Sequence, residues 1–402
     1  MTAERRGPFF LDITRLVTRT GDAPLTGIDR VERAYLKALI DRDLPHFLCS
    51  RTALGWLVVG GQWSQRVLAW IDQPQSLAPP GLFARLIARP RRTPALEAAV
   101  RGIAMARLTA AGLKGWIEAA APGGGWWLSV GHMNLNDPTL GAARQAGLHV
   151  AAMIHDTIPV DHPDWAGKGA PARLAAAIDA AGRHADRLLT PSHSAARDLA
   201  RHVAPGSAGR ILVAPLGVEG QAGDPAALPP AFDASRPNFL ALGTIEPRRN
   251  LPLLLDVWDG FLAGGEATPC LHVIGRLGWG CEDLLTRLRA HGAAATPVHY
   301  HPALPDAGVA AMMDRAVALL APSRAEGFGL PPAEAALRGV PVLATDLAVT
   351  RETLGDYALY LDPDDRAAWA NAIRNLATAP GKRPPLRLAD WTAHFNLVFN
   401  HL

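Results

Sequence analysis

From Asn238 to Thr345, five short apolar runs alternate with four helical segments, and this alternation constrains the fold more than any other feature of the chain. The runs NFLALGT, CLHVIGR, VHYHP, VALLAPS and PVLAT read as strands, of the mainly apolar kind that a sheet covered on both faces requires. Between them LPLLLDVWDGFLA, CEDLLTRLRAHG, DAGVAAMMDRA and PPAEAALRG read as crossover helices. Repeated units of this kind give a doubly wound parallel sheet, an α/β fold.

The N-terminal half carries a noisier version of the same plan. FFLDITRL, HFLCS, LGWLVVGG, WWLSVG, GLHVAAMIHD, DRLLTPS and GRILVAPLGV are strand candidates, and TGIDRVERAYLKALID, APARLAAAIDAAGRHA and SHSAARDLARHV are helix candidates, the last with Ser192 as N-cap. Residues 217–237 are rich in Gly, Pro and Ala and lack periodicity, so they read as a linker. The expected division is a Rossmann-like domain over 1–216, a linker over 217–237, a second Rossmann-like domain over 238–385, and a C-terminal helix over 386–402 packing back on the first domain. A length of 402 residues fits two such cores.

Composition narrows the function classes. Hydrophobic residues make up 49% and charged residues 19%, which excludes a globally disordered or collagenous chain. No apolar run reaches membrane-spanning length, and MTAERRGPFFLDITRL lacks the apolar core of a signal peptide, so a cytoplasmic location is expected. Cys49, Cys270 and Cys281 are wrongly spaced for zinc and read as small buried hydrophobes. The charge is asymmetric, with 18 Lys+Arg against 11 Asp+Glu over residues 1–150 and 22 against 26 over the remainder. Arg85, Arg89, Arg91, Arg92, Arg101, Arg107 and Lys114 give the stretch 85–114 a basic amphipathic character. This suits an anionic membrane surface or an anionic acceptor, and a solvated helix face reads equally well. No basic–aromatic module accompanies the charge, so nucleic acid is not an expected partner.

Ligands of open α/β sheets bind at the carboxyl ends of strands, which singles out four turns. In SRAEGFGLPPAEAALRG, Gly327 and Gly329 permit close backbone approach, and the helix opening at Pro331–Pro332 adds partial positive charge, together a cradle for a diphosphate. Glu334 lies in the first turn of that helix, where an acid is favourable without any ligand. Glu326 lies ahead of the helix, where a carboxylate can accept hydrogen bonds from sugar hydroxyls. In ALGTIEPRRNLPLLL, Gly243 ends a strand and Arg248 and Arg249 precede a helix opened by Asn250, an anion site or solvated surface. In MIHDTIPVDHP, His155 ends a buried strand before Asp156, as a site residue or a satisfied core histidine. APLTGIDRVERA places Thr26, Gly27 and Arg30 at the first turn, without the G-x-G-x-x-G opening of a dinucleotide-binding dehydrogenase.

Taken together these elements resemble retaining glycosyltransferases of family 4, which have the GT-B fold of two Rossmann-like domains facing a cleft. EGFGLPPAE matches the E-x7-E signature of that family, ALRGVPVLAT resembles its continuation, GTIEPRRN its phosphate-binding loop, HDTIP its first-domain HDxxP element and TGIDRV its acceptor-side glycine loop. The resemblance implies a transferase that moves a sugar from a nucleotide-diphosphate sugar to a glycan, lipid-linked or polysaccharide acceptor in cell-surface polysaccharide or lipopolysaccharide assembly. It also implies a second domain that binds the donor and a first domain that binds the acceptor.

On this resemblance Glu326 contacts the transferred sugar, Glu334 the ribose, and Gly327, Phe328, Gly329 and Leu330 the sugar and diphosphate. Gly243, Thr244 and Arg248 are expected beside the phosphates, and Arg249 stands where such enzymes usually have a lysine. Thr244 stands where many members have arginine. His155 is expected beside the donor sugar, and Thr26, Gly27, Arg30 and Asp156 on the acceptor side. The chemistry implied needs no cofactor and no metal, since arginines and helix-terminal N–H groups neutralise the leaving diphosphate. A peripheral position on the inner face of the cytoplasmic membrane, through 85–114, completes the expectation. The alternatives are a non-catalytic nucleotide-sugar-binding protein and a phosphorylase or hydrolase on the same fold. The four lysines, Lys37, Lys114, Lys168 and Lys382, occupy no second-domain turn suited to pyridoxal phosphate.

Overall fold

The computed structural model describes residues 7–21, 24–79, 81, 94–265 and 267–402. Its strands form two separate sheets. The first contains β1 (Phe9–Asp12), β2 (His46–Thr52), β3 (Gly55–Gly60), β4 (Ala106–Leu108), β5 (Gly125–Ser129), β6 (Leu148–Met153), β7 (Arg187–Thr190) and β8 (Ile211–Val213), in the order β4-β3-β2-β1-β5-β6-β7-β8. The second contains β9 (Asn238–Leu242), β10 (Cys270–Ile274), β11 (Val298–His301), β12 (Ala318–Ala321), β13 (Val342–Thr345) and β14 (Leu359–Leu361), in the order β11-β10-β9-β12-β13-β14.

All pairings of the second sheet are parallel. The first sheet is parallel from β2 through β8, but β3 and β4 add to its edge in antiparallel sense. The reason is local. Ala53 and Leu54 join β2 to β3 as a two-residue hairpin whose closing Gly55 has φ +126°, so no helical crossover intervenes.

Both sheets are buried on two faces, as the apolar runs require. Phe9 and Leu11 enter the core on one face of the first sheet, and Phe10 enters the core on the other. Phe239 and Ala241 face one core of the second domain and Leu240 faces the other. The FFLDITRL stretch is a strand only to Asp12, and Thr14–Arg19 is already helical. Cys49, Cys270 and Cys281 are buried free thiols.

After the second domain the chain returns to the first. In the final helix, Trp391–His401, Phe395, Val398 and Phe399 join the core that contains Phe9. The Phe399 and Phe9 rings are 5.4 Å apart, and Phe395 meets Tyr35 edge-on at 4.9 Å. His394 Nδ1 donates to the Pro215 carbonyl (2.8 Å), and its Nε2 accepts from the Tyr35 hydroxyl (3.0 Å). The start of the Gly/Pro-rich stretch lies beneath this helix, with Val218 N–H donating to the Ala389 carbonyl at 3.0 Å.

Of the basic stretch, Arg85, Arg89, Arg91 and Arg92 lie outside the described residues. Within it Arg101 pairs with Glu97 at 2.8 Å and Lys114 with Glu118 at 3.4 Å. Among the described residues no helix is long and apolar enough to cross a membrane.

Candidate active site between the two domains

The carboxyl ends of the central strands of both sheets open onto one cavity of about 300 Å³. Each side chain or backbone segment singled out from the sequence lines it, except Arg248, which lies behind Glu326.

On the second-domain side, Gly243 leaves β9 with φ +136°, and Gly275 leaves β10 with φ +142°. A Cβ on Gly275 would stand 2.1 Å from the Gly243 carbonyl oxygen, so only glycine permits these two loops to pass so closely. Pro247–Arg249 forms a 3₁₀ turn, and Asn250 follows at φ 52°. Asn250 does not cap the Leu251–Ala263 helix with its side chain; its Nδ2 donates to the Pro363 carbonyl at 2.9 Å.

The Arg pair is not a free anion site. Arg248 Nη1 donates to Glu326 Oε2 at 2.9 Å, Arg248 Nη2 pairs with Glu246 Oε1 at 2.6 Å, and Arg249 Nη1 bonds Glu326 Oε1. The Glu326 side chain is only 7% exposed. Burial alone raises its pKa, but the Arg249 and Arg248 guanidiniums outweigh burial and hold it below the ordinary carboxylate value. Glu326 is therefore an ionised member of a buried charge cluster and not an acid waiting at the cleft mouth.

Glu334 also differs from the sequence expectation. The helix begins at Leu330, with Gly329 as N-cap at φ +86°, so Glu334 is beyond its first turn. Its Oε1 accepts from Arg30 Nη1 of the first domain at 2.5 Å. Burial raises the Glu334 pKa, and Arg30 offsets only part of that rise.

On the first-domain side, Thr26 caps the Gly27–Asp41 helix in a capping box with Asp29, and its N–H donates to Asp29 Oδ2 at 2.7 Å. Gly27 sits against Leu330: a Cβ there would lie 3.2 Å from Leu330 Cδ1. His155 is both buried and at the cleft. Its Nε2 donates to the Val130 carbonyl at 2.8 Å, which leaves Nδ1 as an acceptor. Burial pushes its pKa down to about 4, so the ring is neutral at physiological pH. Asp156 Oδ1 accepts from the Ile158 N–H at 3.1 Å, and burial raises its pKa.

Three neighbours of the site escaped sequence reading. His132 holds φ 59°, and its Nε2 accepts the His155 N–H at 3.0 Å, with the two rings 4.9 Å apart. Arg276 and Arg338 line the cavity from the second domain. The available signal was position: His132 follows WWLSVG and Arg276 closes CLHVIGR, both just past strand ends. Among the described residues, no group of three or more His, Cys, Asp or Glu side chains is placed to hold a metal ion.

Comparison with known proteins agrees with this architecture. Residues 236–379 match the family described as "Glycosyl transferases group 1". The serotype-specific mannosyltransferase WbdA of Escherichia coli is 29% identical over 244 residues, 57% of this chain and 30% of WbdA. The O-antigen chain mannosyltransferase B of Escherichia coli is 32% identical over 151 residues, 35% of this chain and 39% of that protein. The chain thus spans under half the length of either relative. Among solved structures, Anabaena Alr3699/HepE in complex with UDP-glucose superposes with a TM-score of 0.65 at 14% identity, over 98% of this chain and 99% of that one. Residues 236–379 are thus similar to group 1 glycosyl transferases, within a chain that has the two-domain GT-B fold.

Proposed function

We propose that this protein is a retaining glycosyltransferase that moves a hexose from a nucleotide-diphosphate sugar to a glycan or lipid-linked acceptor in surface-polysaccharide assembly. The observation that carries this reading is convergence. Turns from two separate sheets, chosen for anion and sugar chemistry, line a single interdomain cavity. The similarity to two mannosyltransferases, one of them of the O-antigen chain, supports a polysaccharide acceptor and makes mannose the first sugar to test.

In the reaction proposed, the anomeric C–O bond to the diphosphate breaks, leaving positive charge on the sugar ring and negative charge on the nucleoside diphosphate. Arg249, which lines the cavity while paired to Glu326, and the N–H groups of the glycine turn stabilise the leaving group. The acceptor hydroxyl attacks from the face the diphosphate leaves, its proton passes to a diphosphate oxygen, and configuration is retained. Ion pairing of Glu326 to both arginines suits a group that positions the sugar and the cations, more than a covalent nucleophile. Neutral His155 offers Nδ1 to a sugar hydroxyl. The charge supplied by arginine and backbone makes a metal unnecessary in this scheme. Peripheral attachment to anionic membrane through 85–114 belongs to the same proposal, on the strength of its sequence charge.

A thermal-shift panel including GDP-mannose and UDP-glucose, followed by mass spectrometry of products formed on oligosaccharide and lipid-linked acceptors, tests this reading. Stabilisation by one nucleotide sugar and a product heavier by one hexose are expected. Binding without release of nucleoside diphosphate would make the protein a binding module.

A further inference from the structure

Ser192 lies outside the cavity, yet it joins the two domains at the glycine turn. Its side chain is almost fully buried. As N-cap of the His193–Ala200 helix, Ser192 Oγ accepts the Ala195 N–H at 3.0 Å. The same hydroxyl donates across the domain boundary to the Gly327 carbonyl at 2.8 Å. The next carbonyl, that of Phe328, accepts from Thr353 Oγ1 at 3.2 Å, a contact within the second domain. Two successive peptide planes of the turn are therefore fixed from opposite domains.

A trans peptide points its C=O and the following N–H in opposite directions. Holding the Gly327 carbonyl toward Ser192 turns the Phe328 N–H away from it. Holding the Phe328 carbonyl toward Thr353 does the same for the Gly329 N–H. Among the described residues neither of these N–H groups has a protein acceptor. Both belong to residues that line the interdomain cavity.

The helix that carries Ser192 is itself clamped by the second domain. Glu352 accepts the His193 N–H through Oε1 at 2.6 Å and the Ser194 N–H through Oε2 at 3.0 Å, at the positive end of the helix. On the other side of the turn the backbones nearly touch, since a Cβ on Gly327 would lie 2.3 Å from the His155 carbonyl oxygen. The Ser192 hydrogen bond forms only when the domains meet in this way.

We propose that Ser192 is a positioning residue for the transfer reaction. By holding the Gly327–Phe328 peptide, it aims the Phe328 N–H at the leaving diphosphate, beside the Gly329 N–H that Thr353 orients, and Glu352 brings Ser192 into place as the domains close. The inference rests on the transferase reading above. It couples closure to catalysis: the turn acquires its anion-binding orientation from the opposite domain, so an open protein lacks part of its stabilisation of the leaving group.

The test compares the full-length wild type with Ser192→Ala, Ser192→Thr and Thr353→Val. Three quantities are measured: kcat and donor KM, affinity for UDP and GDP, and thermal stability. Nucleoside diphosphate carries more charge on the phosphates than the sugar-linked donor, so the lost orientation acts mainly on kcat and product affinity. S192A is expected to lower kcat about tenfold and to weaken nucleoside diphosphate binding about tenfold, with donor KM within about twofold. S192T, which keeps the hydroxyl, restores both, and T353V reproduces a smaller loss. Loss of the N-cap lowers the melting temperature of S192A in any event, so stability does not decide the question. Wild-type kcat and wild-type diphosphate affinity in S192A would overturn the inference. So would a loss of kcat that vanishes when the assay is cooled to where S192A is fully folded. A wild type that transfers no sugar refutes the transferase reading instead, and the diphosphate-affinity comparison then still decides the role of Ser192.

Discussion

Arg30 and Glu334, 304 residues apart in sequence, meet across the cleft with Nη1 2.5 Å from Oε1. The carboxylate that the family resemblance assigns to the donor ribose is therefore already engaged by a cation from the opposite domain. A ribose hydroxyl has to displace Arg30 or share Glu334 with it. Arg30→Ala removes the competitor and leaves a buried carboxylate in want of a donor. Affinity for nucleoside diphosphate, measured by calorimetry, is expected to rise about threefold, while stability falls by about 1 kcal/mol because the pair is only partly exposed. Weaker binding would show that Arg30 contacts the nucleotide itself.

Glu326 offers a sharper contrast. The sequence places it ahead of the helix as an acceptor for sugar hydroxyls, but the structure sets it between two arginines. Glu326→Ala removes the carboxylate that both guanidiniums share, and breaking such a buried cluster costs about 3–5 kcal/mol. Transfer is expected to disappear together with much of the stability. Glu326→Gln keeps a hydrogen-bonding partner of the same shape and should separate the two effects, losing transfer while unfolding nearer the wild type in urea. The double variant E326A/R249A is expected to cost less than the sum of the single variants, since each removes a partner of the other.

These two pairs show where sequence reading stops. Burial on both sheet faces leaves a local trace in the apolar runs, and the strand ends locate the turns that line the cavity. The alternation therefore reveals the parallel core and most of the turns that line the cavity. The partners of Glu326 and Glu334 leave no such trace, because which distant side chain arrives opposite depends on how the domains dock. The antiparallel edge is missed because NG-type turn chemistry is absent at Ala53–Leu54. The short β14, LYL, lacks a run long enough to stand out. Ser192 is legible as an N-cap, but its bond to the Gly327 carbonyl, like that of His132 to the His155 N–H, joins a side chain to a distant main-chain group and leaves no local signature.

Gly327→Ala probes closure directly. The atom that a Cβ would strike is a main-chain oxygen, that of His155, at 2.3 Å, so no rotamer change relieves the clash. The domains must separate instead. Helical content and melting temperature are expected to stay near wild type, because the contact lies between cores and not within one. The radius of gyration from solution scattering should increase, and kcat should fall about a hundredfold or more as the reacting groups lose their alignment. An unchanged radius with full activity would show that the turn yields locally.

Acid should destabilise the protein well above the pH at which ordinary carboxylates titrate. Burial holds His155, His301 and His394 down to about 4 and His272 to about 3, against 6.5 for a free histidine. Burial is the main cause for each, and in the His272–His301 pair the hydrogen bonds add to it. His272 Nε2 donates to Asn238 Oδ1 at 2.8 Å, so its Nδ1 must accept from His301 Nε2 at 3.0 Å, and a second proton would set N–H against N–H. Each folded-state value lies below its unfolded value, so between pH 6.5 and 4 the unfolded chain binds more protons and stability falls as pH falls. Asp12, raised to about 6 by burial, and Glu32, Asp156 and Glu334, also raised by burial, act in the opposite sense, while His46, His132 and His299, lowered by burial, add to the histidine side. The lowered histidines outnumber the raised acids, so the net change as pH falls through this window is a loss of stability. Urea unfolding from pH 7.5 to 4 is expected to show a midpoint that declines throughout the lower part of this range, and a flat profile would mean that these histidines titrate normally in the folded protein.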